Sequence, residues 1–310
     1  MTPSARRGGR ARRSLDSPVV VSRQAVPSTV FLRSAIPSEH PSAAVLGEER
    51  LGTGVAIDGQ RVLTAHYLVM GANEIALSFV DGKARKVERV LLDHETGLAV
   101  LVVDGPELPP ASMGDGRAVA PGQPVFILSC TGERERKGAS GHVSAIAPFE
   151  AFWEYMLDRA IMTTAINPGL AGAALLDAEA RLIGIVSLGL AAVGRYSLAI
   201  PMDLYFEHRS QIEEGGGARP RRAWVGVYPQ GFDGGVVITG VVAGGPAEKA
   251  GLLRGDLVLS VDGEPVSSLR ELYVAIWKRS PGERLGLQIL RDSAIRNVDV
   301  VTGDRYDFYK

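Results

Sequence analysis

The feature that most limits the fold is a series of short β-prone stretches broken by turn-forming pairs. β-Branched or leucine-rich stretches fall at residues 30–33, 53–57, 74–79, 87–92 and 98–103. Asp58-Gly59, Asp81-Gly82 and Asp104-Gly105-Pro106 separate them. Such pairs reverse a chain because Gly and Asp accept the backbone conformations that tight turns require. A second series follows at 124–128, 141–146, 160–164, 173–176, 182–188 and 197–201. Short strands repeating every ~8–12 residues predict an all-β sandwich or barrel. Two series predict two successive barrels, with Pro109-Pro110 as the seam.

Downstream the pattern changes. Residues 202–212 read as one short helix, and 213–222, with Gly215-Gly216-Gly217 and Pro220, have linker composition. Strand-like stretches at 224–228, 235–241, 256–261 and 285–291 then alternate with helical ones at 247–251 and 268–279. The second helical stretch carries Leu269, Leu272, Ala275 and Ile276 on one face, so this region predicts a compact α+β module. Upstream, Arg6, Arg7, Arg10, Arg12 and Arg13 precede a segment whose apolar run is only 19–21. A secretory signal needs an apolar core of about 7–15 residues, so residues 1–26 are expected to be a disordered basic tail. That predicts a cytoplasmic location, with the periplasm as the alternative if the true start lies upstream.

Composition narrows the chemistry. The chain's 34 Lys+Arg against 35 Asp+Glu leave a net charge of -1. Nucleic acid and membrane surfaces are therefore not expected partners. No apolar run approaches the ~18 residues of a membrane-spanning helix. One cysteine, Cys130, excludes a disulfide framework, a Cys-based zinc site and an iron–sulfur site. It reads as a small buried apolar residue rather than a nucleophile paired with His66 or His142. Asp93-His94-Glu95, with His66, matches no strong ligand spacing and reads as a solvated turn. No metal and no cofactor are expected. Phe149, Phe152, Trp153 and Tyr155 read as barrel or hairpin packing, with a lip for a partner or client as the alternative. The run Glu133-Arg134-Glu135-Arg136-Lys137 reads as a solvated loop.

Two sets of motifs carry a family resemblance. Gly245-Pro246-Ala247-Glu248-Lys249-Ala250-Gly251-Leu252, followed by Gly255-Asp256-Leu257-Val258-Leu259-Ser260-Val261-Asp262-Gly263, resembles the PDZ domains of bacterial HtrA-type proteases, here across residues 223–305. Pro246 is suited to start a short helix and Gly251 to end it. The resemblance implies a module that binds an extended peptide as an added strand and holds its terminal carboxylate in a nest of backbone N–H groups. Trp224, Val225, Gly226 and Val227 would form that loop, and Leu269 and Leu272 would flank the pocket for the last side chain. The alternative is a groove filled by the neighbouring domain.

Three further segments resemble the HtrA-type protease domain across residues 27–212. They are Leu51-Gly52-Thr53-Gly54-Val55 with Arg61-Val62-Leu63-Thr64-Ala65-His66-Tyr67, then Leu92-Asp93-His94-Glu95-Thr96-Gly97-Leu98-Ala99, then Asn167-Pro168-Gly169-Leu170-Ala171-Gly172-Ala173-Ala174. The implied fold is mainly β: a trypsin-like double β-barrel followed by a small α+β PDZ domain. In the family register the histidine, aspartate and serine positions fall on Tyr67, Gly97 and Ala171, with His66 one residue early. Gly169, Leu170 and Ala171 would be the remnant of an oxyanion hole. A methyl group cannot attack a carbonyl, and no side chain at 97 is available to orient an imidazole. Loss of such a triad leaves only about 10³–10⁴ of rate over water. The expectation is therefore that the chain is not an enzyme but a pseudoprotease. It would bind unfolded segments or C-termini as an adaptor, chaperone-like or regulatory protein. The alternative is an active serine-type endopeptidase with a rearranged site. The resemblance also implies homo-oligomers, as trimers, or assembly with an active paralogue.

Overall fold

In a computed structural model of the protein, the described residues are 18–190, 196–213 and 221–310. The first series of strands is β1 (Thr29–Ala35), β2 (Glu49–Ala56), β3 (Arg61–Ala65), β4 (Glu74–Ser78), β5 (Ala84–Asp93) and β6 (Leu98–Val103). They close into an antiparallel barrel in the order β1-β2-β3-β6-β5-β4. The second series is β7 (Pro124–Cys130), β8 (Arg136–Ala151), β9 (Tyr155–Thr163), β10 (Ala173–Leu176), β11 (Leu182–Gly189) and β12 (Ser197–Pro201). It closes as β10-β11-β12-β9-β8-β7. Pro109 and Pro110 lie in the connection between β6 and β7, at the expected seam.

Each barrel buries its own interior. Val30, Leu32, Val62, Leu77, Ala99 and Leu101 fill the first. Val125, Ile127, Ile161, Leu175, Ile183 and Ala199 belong to the second. A further cluster that includes Leu63, Leu98 and Val100 of the first barrel with Leu128, Leu176 and Ile185 of the second joins the two. Burial of large aliphatic side chains at ~1.5–3 kcal/mol each is the dominant favourable contribution to this arrangement.

The expected disordered tail is corrected over its last residues. Residues 1–17 lie outside the described residues, but Pro18–Ala25 form a helix, α1, whose Val21 and Ala25 are buried in the cluster that joins the barrels. Apolar side chains four apart lie on one helix face, which gives this short stretch a surface to bury. The charge run 133–137 also departs from a loop at its end. Arg136 opens β8, and its guanidinium donates to the Thr29 and Ser78 carbonyls of the first barrel, both at 3.2 Å.

After the short helix α2 (Ala43–Leu46) and the helix α3 (Met202–Glu213), the chain enters the expected small module. The linker residues 214–220 lie outside the described residues. The module comprises β13 (Ala223–Trp224), β14 (Val227–Phe232), β15 (Gly235–Val241), α4 (Pro246–Lys249), β16 (Leu257–Val261), β17 (Glu264–Pro265), α5 (Leu269–Ile276), β18 (Arg284–Arg291), β19 (Ala294–Val301), β20 (Gly303–Asp304) and α6 (Arg305–Phe308). Its main sheet runs β14-β15-β16-β18-β19, so β14 is an edge strand. Val236, Ile238, Val258, Leu272, Tyr273, Leu285 and Ile289 are among its core residues.

Candidate functional site: inter-barrel cleft and carboxylate nest

β3 ends at Ala65, and residues 66–68 turn as a short 3-10 helix that presents His66 and Tyr67. The backbone N–H of His66 donates to the Gly97 carbonyl at 2.9 Å, and its ring Nδ1 donates to the same oxygen at 3.1 Å. This corrects one expectation: position 97 does orient an imidazole, through its backbone carbonyl rather than a side chain. The bond places the proton on Nδ1 and leaves Nε2 as an acceptor. Burial pushes the imidazole down to about 4, so the ring is neutral at pH 7. Gly97 itself sits at φ +77°, and a Cβ there would lie 2.7 Å from the Tyr155 hydroxyl, so the site admits no side chain without strain.

Tyr67 is fixed by a 2.6 Å hydrogen bond from its hydroxyl to the Ser187 carbonyl on β11, and burial pushes it up to about 12. Ala171 packs its methyl group on the first-barrel core, and its carbonyl accepts from the Thr53 N–H at 2.7 Å. The preceding loop is stapled internally. Asn167 Oδ1 accepts from the Gly169 N–H at 3.2 Å, Asn167 Nδ2 donates to the Leu170 carbonyl at 3.2 Å, and the Leu170 N–H donates to the Cys130 carbonyl at 3.0 Å. The Gly169 and Leu170 N–H groups are therefore engaged within the protein. Cys130 is fully buried, and burial pushes its thiol up to about 11, which keeps it protonated.

A cavity of about 350 Å³ opens beside His66, walled in part by Tyr67, Trp153, Leu188, Trp224 and Tyr309. His94 also lines it, and that residue overturns the reading of 93–95 as a solvated turn. Asp93 and His94 are each only 5% exposed. His94 stacks edge-on against His66 at 5.4 Å and Tyr306 at 4.6 Å, and burial holds it well below the usual histidine range. Its two ring nitrogens have no hydrogen-bond partner among the described residues. For Asp93, burial opposes ionisation, but bonds from His208 Nδ1 at 2.8 Å, Thr96 Oγ1 at 2.8 Å and the Glu95 N–H at 3.0 Å outweigh it and hold the carboxyl below the usual range. The turn is buried because α3 and the C-terminal α6 pack over it, a fact with no local signature in the sequence.

The aromatic stretch divides between packing and exposure. Tyr155 is buried in the core, Trp153 lines the cavity, and Phe152 is 56% exposed. The β8–β9 hairpin that carries them reaches the small module. There it meets the 224–227 loop, in which Gly226 stands at φ +81°. Its N–H groups are occupied by Glu154: Oε1 accepts from Gly226 at 2.6 Å and Val227 at 2.9 Å, and Oε2 from Val225 at 3.1 Å. Motif reading misses this pairing, because Glu154 lies 71–73 residues from the groups it meets. Leu269 stands at the groove beside Gly231, whereas Leu272 is buried in the module's core.

Residues 52–185 match the family described as Trypsin-like peptidase domain, and residues 223–302 match the PDZ domain. A probable periplasmic serine endoprotease DegP-like of Halomonas elongata is 35% identical over 292 residues, covering 87% of this chain and 60% of that protein. A protein of the same description from Pseudomonas savastanoi pv. phaseolicola is 29% identical over 87% of this chain and 60% of its own length. The chain thus spans about 60% of the length of these curated relatives. Among solved structures, an HtrA-type protease AlgWS227A with tripeptide aligns with a TM-score of 0.59 and 27% identity, over 93% of this chain and 97% of that one. The HtrA-type protease AlgW with decapeptide aligns at 0.57 and 26%, over 93% and 99%. These likenesses overturn the expectation that the chain is not an enzyme: the relatives are named as serine endoproteases or HtrA-type proteases, and residues 52–185 of the two barrels match a peptidase family. The chain thus carries a trypsin-like peptidase domain followed by a PDZ domain, and over both it is similar to HtrA-type proteases.

Proposed function

We propose that this chain binds polypeptide, holding a free C-terminal carboxylate in the 224–227 nest and pairing the residues before it along the open edge of β14. The observation that carries this reading is that the N–H groups of Val225, Gly226 and Val227 already converge on a carboxylate, at 2.6–3.1 Å. Three oriented donors on one anion are the recognition chemistry a peptide terminus needs. The peptides named with the HtrA-type relatives support the ligand class, and the word periplasmic in the curated relatives' names supports that compartment over the cytoplasm. Fluorescence anisotropy tests the reading. A labelled decapeptide ending in valine with a free carboxylate is expected to bind the full chain at least tenfold tighter than its C-terminal amide. Equal affinities overturn it.

A second reading, endopeptidase activity in the inter-barrel cleft, is favoured by the relatives' names and by His66, whose Nδ1 is anchored so that Nε2 accepts a proton. In the family register positions 67, 97 and 171 are Tyr67, Gly97 and Ala171. The attacking oxygen on this reading comes from water rather than residue 171, with His66 as a weak general base. Turnover of an unfolded fluorescent casein is then lost in His66→Ala and kept in Cys130→Ala. No turnover by the unmodified chain, or equal turnover by His66→Ala, overturns it.

A further inference from the structure

We propose that Glu154 is a resident ligand of the carboxylate nest: from within the same chain it occupies the place of a peptide C-terminus, and a peptide binds by displacing it. The inference rests on the peptide-binding reading above and adds the competitor.

Both oxygens of Glu154 are used, and they accept from three consecutive backbone donors. The residue is 1% exposed, so solvent has little share in these bonds. Its backbone is clamped on both sides. The Glu154 N–H donates to the Tyr273 hydroxyl at 3.2 Å, and that hydroxyl donates to the Ala151 carbonyl. Arg305 Nη2 donates to the carbonyls of Trp153 at 3.2 Å and Glu154 at 2.8 Å. Tyr273 belongs to α5, the helix that walls the groove, so the hairpin tip is held by both sides of the peptide site.

Two observations argue that the arrangement serves the carboxylate rather than packing. Glu154 stands at φ +52°, in the left-handed region that residues with side chains seldom adopt. Burial raises its carboxyl, against the opposing pull of Arg305 and the three N–H groups. An apolar side chain would fill the same space without desolvating a carboxylate. Such a self-occupied site reduces apparent peptide affinity by the fraction of molecules in which the nest is free.

The test uses the full chain with Glu154→Gln, which removes the charge at constant shape, and Glu154→Gly, which suits the backbone at φ +52° and keeps the hairpin foldable. Hydrogen exchange at residues 225–227 is expected to quicken at least tenfold in Glu154→Gly. Affinity for the carboxylate-ended valine decapeptide should rise at least tenfold in the same variant, with Glu154→Gln between. Unchanged exchange and unchanged affinity overturn the proposal. A gain shared equally by the amidated peptide also overturns it, because the nest would then not be what was freed. Faster exchange with no peptide bound by any chain keeps Glu154 in the nest and overturns the peptide-binding reading instead.

Discussion

Position 97 brings together a turn, a neighbour and a hydrogen bond. Its positive φ, the Tyr155 hydroxyl and the bond to His66 make glycine the residue that fits there. Gly97→Asp is expected to cost about 2 kcal/mol or more through backbone strain and the clash, measured by urea unfolding; an unchanged midpoint contradicts it. Asp93 gives a pH-dependent prediction. Its folded pKa is lowered, so its stabilisation is present above the unfolded value of about 3.9 and is lost as pH falls through the folded value. Asp93→Asn should therefore destabilise by about 2 kcal/mol at pH 7, with the gap to the unmodified chain narrowing in acid. Parallel pH–stability curves for the two chains between pH 2 and 7 disprove that assignment. The identities of these residues are legible in the sequence, but their partners are not: the group that holds His66 at position 97 is a backbone carbonyl, which every residue type carries.

At the scale of elements, strands that alternate or fill a barrel announce themselves. The stretches 98–103 and 124–128 became β6 and most of β7 because nearly every residue in them is buried. Of β8 only 141–146 has a strand-like pattern, since much of its 16-residue length stands outside the core and carries no apolar period. That inconspicuous strand leads into the hairpin tip bearing Glu154. α5 was foreseen, and its start has a local cause. Ser268 caps it by accepting from the Glu271 N–H at 3.2 Å, while Glu271 Oε2 accepts from the Ser267 N–H at 2.8 Å. Ser268→Ala is expected to cost about 1 kcal/mol, read from the denaturation midpoint. No loss of stability contradicts the cap's contribution.

Across the whole molecule, the last residues strap the PDZ module to the barrels. Trp224 packs on Phe308 with ring centres 4.6 Å apart, the Tyr306 hydroxyl accepts from the His94 N–H at 3.2 Å, and the Tyr309 carbonyl lies 3.3 Å from His40 Nε2. The last two contacts join parts of the chain more than 200 residues apart. Deleting residues 305–310 should loosen the module, splitting one thermal transition into two and raising the radius of gyration in small-angle scattering. A single unshifted transition with an unchanged radius shows that the strap does not hold the domains together.

The order of strands and turns, the two barrels, the PDZ motif and the residues standing at 67, 97 and 171 were determined by the sequence itself, because period, turn chemistry and local spacing are written along the chain. Tertiary structure alone decided that the Gly97 carbonyl holds His66, that Asp93 and His94 are buried, and that Glu154 fills the carboxylate nest. Those are meetings between distant segments, and a hydrogen bond formed across 31 or 72 residues imposes no period or spacing on the sequence between its ends.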